Sequence, residues 1–274
     1  MRIGRREFDL EHHTYIMGIL NVTPDSFSDG GRYRRLDAAL FRVEEMLGEG
    51  MDILDIGGES TRPGHSQVFA QEETERVLPV IEAVKKRFDV PISLDTCKAG
   101  VARAGILAGA DLINDIWGLK SDPEMASVIS GADLPCVLMH NRREAVYGNL
   151  VEDVLEDLRG TLSLAEKARI GRERIILDPG IGFGKTYDHN LQMLSSLERL
   201  GELGLPVLLG ASRKSVIGLT LDLPVNERVE GTLVTTVFAV LKGCAFVRVH
   251  DIKENVRAVR MAEAILTAGR TNAQ

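Results

Sequence analysis

Short apolar runs recur along this chain, and a polar residue or a turn of small residues follows nearly every run. The runs have the length of buried parallel strands, and we predict eight of them, at 15–20, 53–56, 92–96, 112–115, 136–140, 175–178, 207–209 and 246–250. Segments with helical spacing separate most of the runs, which is typical of a parallel sheet with helices outside it. Eight equal units favour closure into an α/β fold of the (β/α)8 TIM-barrel type, with an open doubly wound sheet as the alternative.

The segments between the strands predict the helices. We expect helices at 36–49, 71–88, 98–108, 151–169, 188–203, 226–242 and 253–267, and a helix-compatible segment after Ser215. Residues 1–14 are short and charged, so we expect a small N-terminal hairpin or plug at one end of the barrel. No linker or low-complexity segment interrupts the alternation, which predicts a single domain over residues 1–274.

The composition is that of an ordinary globular protein, with 44% hydrophobic and 27% charged residues. The net charge of -7 argues against a nucleic-acid partner, which would need a basic face. No apolar run approaches the roughly 18 residues of a membrane helix, and no apolar stretch follows the basic N-terminus, so we expect neither a membrane partner nor a signal peptide. The three cysteines are widely spaced and form no C-x-x-C motif, which predicts a reducing, cytoplasmic location without disulfides.

Nearly every predicted strand ends in a polar residue, and these residues lie at the same end of the sheet. They are Asn21, Asp55, Asp95, Asn114, His140, Asp178, Ser212 and His250. One such residue is usually a satisfied core group or a helix cap, because an unpaired buried polar group costs about 1–3 kcal/mol. A full set at the carboxyl ends of parallel strands predicts a polar mouth, which is where barrels build their active sites.

Two sequence motifs resemble common catalytic loops but do not match them. The segment D-P-G-I-G-F-G-K-T lacks the first glycine of a phosphate-binding P-loop, since Pro179 stands there. The segment G-A-S-R-K is not a nucleophile elbow, because Lys214 replaces the final glycine. No His-x-x-x-His or Cys/His cluster indicates structural zinc. The chain therefore shows no activated nucleophile and no zinc site.

The remaining polar residues describe a ligand. Carboxylates and an amide at the strand ends offer hydrogen bonds, and Arg248 offers a planar cation that can stack on a flat ring. Anion contacts are available from Ser60, Thr61, Arg62, Arg248 and His250. The side-chain oxygen of Asn21 suits a hard cation such as Mg²⁺, which prefers substrate phosphates. A flat heterocycle with a phosphate chain would fit, and spacing does not identify the heterocycle. Met139 and Phe183 suit either the core or a slot for such a ring.

Five segments taken in order resemble bacterial dihydropteroate synthases. They read N-V-T-P-D-S-F-S-D-G-G, D-I-G-G-E-S-T-R-P-G, D-P-G-I-G-F-G-K-T, G-A-S-R-K-S and R-V-H-D. The resemblance runs from about Tyr15 to the last helix. It implies a homodimeric TIM barrel that uses Mg²⁺. It also implies a reaction that joins p-aminobenzoate to 6-hydroxymethyl-7,8-dihydropterin pyrophosphate, releasing pyrophosphate and forming dihydropteroate for folate synthesis.

The resemblance also implies roles for individual residues. Catalytic roles fall on Asp95, Asp178, Lys214, Arg248 and His250. Pterin contacts fall on Asp95, Asn114, Met139, Asp178, Phe183, Lys214 and Arg248. Pyrophosphate contacts fall on Asn21, Thr61, Arg62, Arg248 and His250, with Asn21 as the Mg²⁺ ligand. The p-aminobenzoate slot falls on Phe27, Thr61, Pro63, Phe183, Lys214 and Ser215. Ser215 lies at a helix start, which favours a carboxylate.

One segment departs from the family pattern. Asn141, Arg142 and Arg143 stand where many members read M-Q-G, and their contacts stay open at this point. Two alternative functions also remain. A pterin-binding methyltransferase would share the barrel and the Asp/Asn pocket but would not use the 21–31 loop or the pyrophosphate contacts. A non-enzymatic binding barrel would tolerate loss of Arg248 and His250.

Overall fold

The structure, a computed structural model, describes residues 1–23, 32–59 and 68–271. Its strands are β1 (Arg2–Ile3), β2 (Arg6–Glu7), β3 (Tyr15–Asn21), β4 (Ile53–Gly57), β5 (Ile92–Asp95), β6 (Leu112–Asp115), β7 (Cys136–Met139), β8 (Ile175–Asp178), β9 (Leu208–Leu209) and β10 (Phe246–Val249). The boundaries of β3 to β10 lie within one residue of those of the eight predicted strands. Hydrophobic runs flanked by turns therefore locate the strands well, because only buried parallel strands need such continuous apolar sequence.

The strands from β3 onward form a barrel. They pair in parallel in the order β8-β7-β6-β5-β4-β3-β10-β9. A parallel bridge between Leu177 and Val207 joins the two ends of this order, and the Leu177 N–H donates to the Pro206 carbonyl over 2.9 Å. The predicted (β/α)8 barrel is confirmed.

Helices surround the barrel in the described ranges. They are α1 (Arg32–Glu49), α2 (Ala70–Arg87), α3 (Ala99–Ala108), α4 (Met125–Ala132), α5 (Leu150–Lys167), α6 (Tyr187–Ser195), α7 (Ser215–Leu221), α8 (Val229–Leu241) and α9 (Ile252–Thr271). Each packs an apolar stripe on the sheet, as Val77, Ile81 and Val84 of α2 do. In the part of the chain that is described, no helix combines the length and hydropathy needed to cross a bilayer.

Two helical segments differ from the sequence prediction. The predicted helix 188–203 is two elements, α6 and a 3-10 helix at Leu197–Leu203. Leu197, Leu200 and Leu203 are all buried at a spacing of three, which suits the 3-10 period rather than the α-helical one. Helix α4 was not predicted. It has only eight residues and ends at Asp133 in a left-handed conformation, so it carries few turns of the helical pattern.

The N-terminal hairpin closes the bottom of the barrel, as predicted. Strands β1 and β2 pair antiparallel. Ile3 and Phe8 are buried against an apolar floor formed by Met17, Ile53, Leu112, Val137, Ile176, Leu208 and Phe246. The ring of Phe8 meets that of Tyr15 edge-on with centroids 4.7 Å apart. Water is thereby excluded from the lower half of the barrel interior.

Candidate active site

The strands carry a polar layer directly above the apolar floor. Side chains that are two residues apart on a strand point to the same face, so the residue two positions after each floor residue also points into the barrel. Besides the apolar Ile19 on β3, these residues are Asp55, Asn114, Met139, Asp178, Gly210 and Arg248, and Asp95 joins them on β5. Most of the pterin contacts implied by the resemblance therefore occupy one ring at the carboxyl ends of the strands.

Arg248 is held in this ring by two carboxylates. Its Nε donates to Asp55 Oδ2 and its Nη2 to Asp95 Oδ2, both over 2.7 Å. Burial lowers the pKa of Arg248, but the carboxylates of Asp55 and Asp95 outweigh this and raise it above its usual range. Asp55 is itself fully buried, and Ser93 Oγ donates to its other oxygen over 2.5 Å. The guanidinium plane is thus fixed across the barrel.

Asp55 and Ser93 are site residues that sequence reasoning missed. Asp55 had been recognised as a strand end, but the family motifs assigned it no role. The signal that identifies it is its position two residues after Ile53, which places it in the same ring as Asp95. Ser93 precedes Asp95 by the same spacing and supports Asp55 from below.

Asp95 and Asn114 present unused hydrogen-bonding groups. Asp95 Oδ1 is buried without a hydrogen-bond partner among residues 1–23, 32–59 and 68–271. Burial, together with the nearby carboxylates and against the attraction of Arg248, raises the pKa of Asp95 to about 7. The buried side chain of Asn114 makes no hydrogen bond to any residue that the structure describes. Buried polar atoms are normally paired, so these two side chains indicate a ligand that supplies N–H and acceptor groups.

Asp178 and Lys214 form the opposite side of the ring. Asp178 Oδ1 accepts the Gly180 N–H over 2.7 Å. Burial raises the pKa of Asp178, and burial lowers the pKa of Lys214 to about 8, each opposed by the other's charge. Lys214 Nζ donates to the Ile181 carbonyl and lies 4.5 Å from the centroid of the Phe183 ring. Phe183 is therefore brought to the site and contacts the cation directly.

The backbone before Lys214 has an unusual conformation. Arg213 has a φ of 56°, in the left-handed region that few residues other than glycine adopt. Its N–H donates to Thr232 Oγ1 over 3.1 Å and its Nε to Asp251 Oδ2 over 3.0 Å, which holds the turn. The turn directs Lys214 into the barrel and starts α7 at Ser215, which is exposed at the rim.

Asn21 and His250 lie at the rim beside the ring. A Cβ at Gly57 would make ordinary contacts with Asp95 Cβ at 3.7 Å, Asp95 Oδ2 at 3.8 Å and Asn21 Oδ1 at 3.9 Å, so the Asn21 amide oxygen lies beside Gly57 and Asp95. An amide oxygen is a hard ligand that fits Mg²⁺, which keeps several waters and shares phosphate ligands. No group of three His, Cys, Asp or Glu side chains that could hold a metal ion occurs in residues 1–23, 32–59 or 68–271. His250 Nδ1 is 3.0 Å from Ser212 Oγ.

One predicted mouth residue faces elsewhere. His140 follows Met139, which points inward, and the alternation therefore turns His140 outward, where it is fully buried beside α5. Asn141 Nδ2 donates to the Ile116 carbonyl over 3.2 Å. Arg142 Nε donates to Asp157 Oδ2 over 2.6 Å, and its guanidinium lies 4.4 Å from the centroid of the Tyr147 ring. The segment that departs from the family pattern thus ties β7 to α5.

A cavity of about 600 Å³ opens above this side of the ring. It is lined by Glu59, Glu73, Asp95, Thr96, Cys97, Ile116, Trp117, Lys120, Ser121, Asn141, Arg142 and Arg143. Asp95 is the member that it shares with the polar ring, so the cavity leads to the ring from outside. The predicted site residues Phe27, Thr61, Arg62 and Pro63 lie outside the described residues.

Comparison with known proteins identifies the family. A family profile described as "Pterin binding enzyme" matches residues 17–250. The dihydropteroate synthase of Clostridium beijerinckii is 56% identical over 97% of this chain and 99% of its own length, and that of Bacillus subtilis is 54% identical over 93% and 90%. The chain belongs to the dihydropteroate synthases. The sequence-based prediction of the family is confirmed.

Solved dihydropteroate synthases have the same fold. The enzyme from Clostridium difficile, determined in the presence of pteroic acid, is 48% identical with a TM-score of 0.93, covering 94% of this chain and 99% of that one. The Xanthomonas albilineans synthase in complex with 7,8-dihydropteroate is 40% identical with a TM-score of 0.87, covering 94% and 95%. The same synthase with 4-aminobenzoic acid is 42% identical with a TM-score of 0.89, covering 93% of each chain.

Proposed function

We propose that this dihydropteroate synthase condenses 6-hydroxymethyl-7,8-dihydropterin pyrophosphate with p-aminobenzoate by a dissociative substitution. The bond between the exocyclic methylene carbon and the pyrophosphate oxygen breaks first, and its electron pair leaves with pyrophosphate. The aniline nitrogen then donates its lone pair to that carbon and loses a proton, giving 7,8-dihydropteroate. The observation that carries this proposal is the polar ring, in which Asp95 Oδ1 is buried without a partner in the described part of the chain and lies opposite Asp178 and Lys214.

The ring supplies hydrogen bonds that suit a pterin. Asp95, Asn114 and Asp178 accept the N–H groups of the heterocycle, and Arg248 lies flat against it. Burial raises the pKa of both carboxyl groups, which means that it disfavours their ionised forms. A positive charge that develops on the pterin as pyrophosphate leaves compensates for this. The carboxylates therefore favour the charged transition state over the neutral ground state.

The departing anion is received at the rim. Arg248 lies on β10, and His250 follows directly after this strand. In this proposal both side chains contact pyrophosphate from one side of the mouth. Mg²⁺, when bound, neutralises charge on the pyrophosphate oxygens, and Asn21 Oδ1 beside Gly57 would hold it. Catalysis is then electrostatic and positional, because the described site contains no activated nucleophile.

The test of this function is product formation from the two substrates. The protein is incubated with the pterin pyrophosphate and Mg²⁺, with and without p-aminobenzoate, and both dihydropteroate and pyrophosphate are measured. We expect dihydropteroate in the complete mixture and its loss on chelation. Pyrophosphate release without p-aminobenzoate supports the dissociative order. A covalent enzyme–pterin adduct would contradict the mechanism, and absence of dihydropteroate would contradict the function.

We also propose that the protein is a cytoplasmic homodimer. Val234, Phe238 and Leu241 are exposed on one face of α8, and Met261 and Ile265 are exposed on α9, which packs against α8. An apolar surface of this kind is typical of an interface. Val234→Glu should convert a dimer to a monomer in light scattering, and Lys253→Glu is the control. A monomeric wild type would contradict the proposal.

The free state of Cys97, Cys136 and Cys244 supports the proposed cytoplasmic location, because it suits a reducing compartment.

A further inference from the structure

A chain of ionisable side chains lies behind the polar ring, outside the residues to which the mechanism assigns a role; His140 is fully buried, whereas Arg142 and Asp157 are partly exposed. The imidazole of His140 stands at its centre. His140 Nε2 is 3.0 Å from Asp157 Oδ2 on α5, and His140 Nδ1 is 2.8 Å from Lys185 Nζ in the loop after β8. Asp157 also accepts Arg142 Nε over 2.6 Å. The chain joins α5, the β7 loop and the β8 loop.

The hydrogen bonds determine where the protons are. The Lys185 ammonium has three N–H groups, and they point to His140 Nδ1, the Gly180 carbonyl at 3.1 Å and the Phe183 carbonyl at 3.2 Å. When Lys185 is protonated it can only donate, so His140 then accepts at Nδ1 and carries its proton on Nε2, which donates to Asp157. Burial, with the nearby Lys185 charge, lowers the pKa of His140 to about 3, so the ring is neutral. Burial lowers the pKa of Lys185 to about 7 against the attraction of Asp178.

The two backbone acceptors of Lys185 belong to a glycine-rich loop, which is also tied to α6 by the Gly182 N–H donating to Asn190 Oδ1 over 2.6 Å and to the β7 loop by Tyr147 Oη donating to the Gly184 carbonyl over 2.7 Å. Gly180, Gly182 and Gly184 have φ values of 69°, 82° and 53°. A Cβ at Gly180 would lie 1.9 Å from the His140 carbonyl oxygen, so the β7 and β8 loops touch backbone to backbone. Lys185 closes the loop on itself by bonding Gly180 and Phe183, and His140 fixes where the closed loop sits.

The same loop carries the contacts of Lys214. The Ile181 carbonyl accepts Lys214 Nζ, and the Phe183 ring lies 4.5 Å from that atom. Ile181 and Phe183 lie inside the segment that Lys185 closes. A shift of the segment therefore shifts both the ring and the cation.

We infer that Lys185 is a positioning residue, which with His140 and Asp157 sets the β8 loop and so places Phe183 and Lys214 for p-aminobenzoate. This inference rests on the proposed function for its kinetic consequence. Its structural content, that Lys185 orders residues 180–186, stands apart from the reaction.

The first experiment removes the ammonium and keeps the length of the side chain. In Lys185→Met, we expect kcat/KM for p-aminobenzoate to fall about 10- to 100-fold per folded protein, since a misplacement of about 1 Å can cost about 100-fold. Calorimetric affinity for 6-hydroxymethylpterin should fall by a smaller factor than kcat/KM for p-aminobenzoate, because Phe183 and Lys214 shift whereas Asp95 and Asn114 are untouched. Lys242→Met is the matched control, because Lys242 pairs with Glu198 on the outer surface.

The second experiment tests the two ring nitrogens of His140 separately. In His140→Asn the side-chain oxygen replaces Nδ1 and keeps an acceptor for Lys185, whereas in His140→Gln the amide N–H replaces Nε2 and keeps only the donor to Asp157. We expect the Asn variant to retain a kcat/KM for p-aminobenzoate nearer to wild type than the Gln variant. Equal values for the two variants would overturn the inference, since a purely structural role would not distinguish them.

Hydrogen exchange separates this inference from the proposed function. In Lys185→Met, the amides of residues 180–186 should exchange faster than in Lys242→Met, whether or not the wild type turns over. Unchanged exchange together with wild-type kinetics would overturn the inference and leave the function intact. Faster exchange in a protein whose wild type forms no dihydropteroate would refute the function and support the positioning of the loop.

Discussion

The two ends of the barrel interior differ in what their side chains can do. At the bottom, the floor residues and Phe8 of the N-terminal hairpin are apolar and buried, and they touch one another. At the mouth, further along the strands, Asp95 and Asp178 are buried and the side chain of Arg248 is 17% exposed, and all three carry ionisable groups. Burial of apolar surface stabilises a fold, whereas burial of charge costs free energy unless it is paired. The bottom therefore supports stability and the mouth supports function.

The largest effect should come from the bottom. Phe8→Ala removes a buried ring that packs against Tyr15 and Phe246, and it should lower the free energy of unfolding by about 3–5 kcal/mol. Urea denaturation measures the change. The exposed Phe41→Ala is the control. The KM values of the folded variant should match those of wild type, and a raised KM for the pterin substrate would break the division between the two ends.

Asp178→Asn should weaken ligand binding without lowering the free energy of unfolding at neutral pH. Loss of a charged acceptor weakens pterin binding by about 1.5–3 kcal/mol, or roughly 10- to 150-fold, measured by calorimetry with 6-hydroxymethylpterin. Because burial raises the pKa of Asp178, its ionised form destabilises the fold at neutral pH, and the Asn variant should be more stable there. This gain should disappear as the pH falls below the unfolded pKa of an aspartate, about 3.9. Unchanged pterin affinity would show that the pterin lies elsewhere.

A smaller, pH-dependent effect should sharpen the view of the mouth. The pKa of Asp95 is raised to about 7 by burial, with Arg248 opposing and Asp55, Glu73 and Asp115 reinforcing. Asp95 accepts a hydrogen bond best when ionised, so affinity for 6-hydroxymethylpterin should rise with pH through about 7, by at most about tenfold per unit. The pKa of Lys214, lowered to about 8, adds a decline at higher pH. In Asp95→Asn, the pterin affinity should no longer rise with pH through about 7, but it should still decline at higher pH. A rise through pH 7 that persists in this variant would contradict the assignment.

The same contrast explains what the sequence could predict. Strand positions, closure of the barrel and the hairpin plug followed from apolar runs and alternation, because a buried strand leaves a direct pattern in sequence. The polar ring followed from residues at strand ends and from family motifs. The orientation of His140 was wrong because a strand end alone does not state which face the next side chain takes; the alternation from Val137 and Met139 does.

Other features depend on contacts between distant segments. Lys185, in the loop after β8, meets His140, at the end of β7, across two different strand–helix units. A lysine at the end of a glycine-rich motif looks the same in sequence whether it binds a phosphate or a neighbouring loop. The supporting role of Asp55 could have been found from its spacing to Ile53, whereas its pairing with Arg248 needs the closed barrel.

The most direct test of the division between bottom and mouth uses two residues of β6. Calorimetric affinity for 6-hydroxymethylpterin is measured for Leu112→Ala and Asn114→Ala, which alter the floor and the ring two positions apart. We predict that Asn114→Ala weakens binding by at least about tenfold, since its side chain makes no hydrogen bond to any residue that the structure describes, while folded Leu112→Ala binds within about twofold of wild type. Equal weakening in both variants would contradict the account.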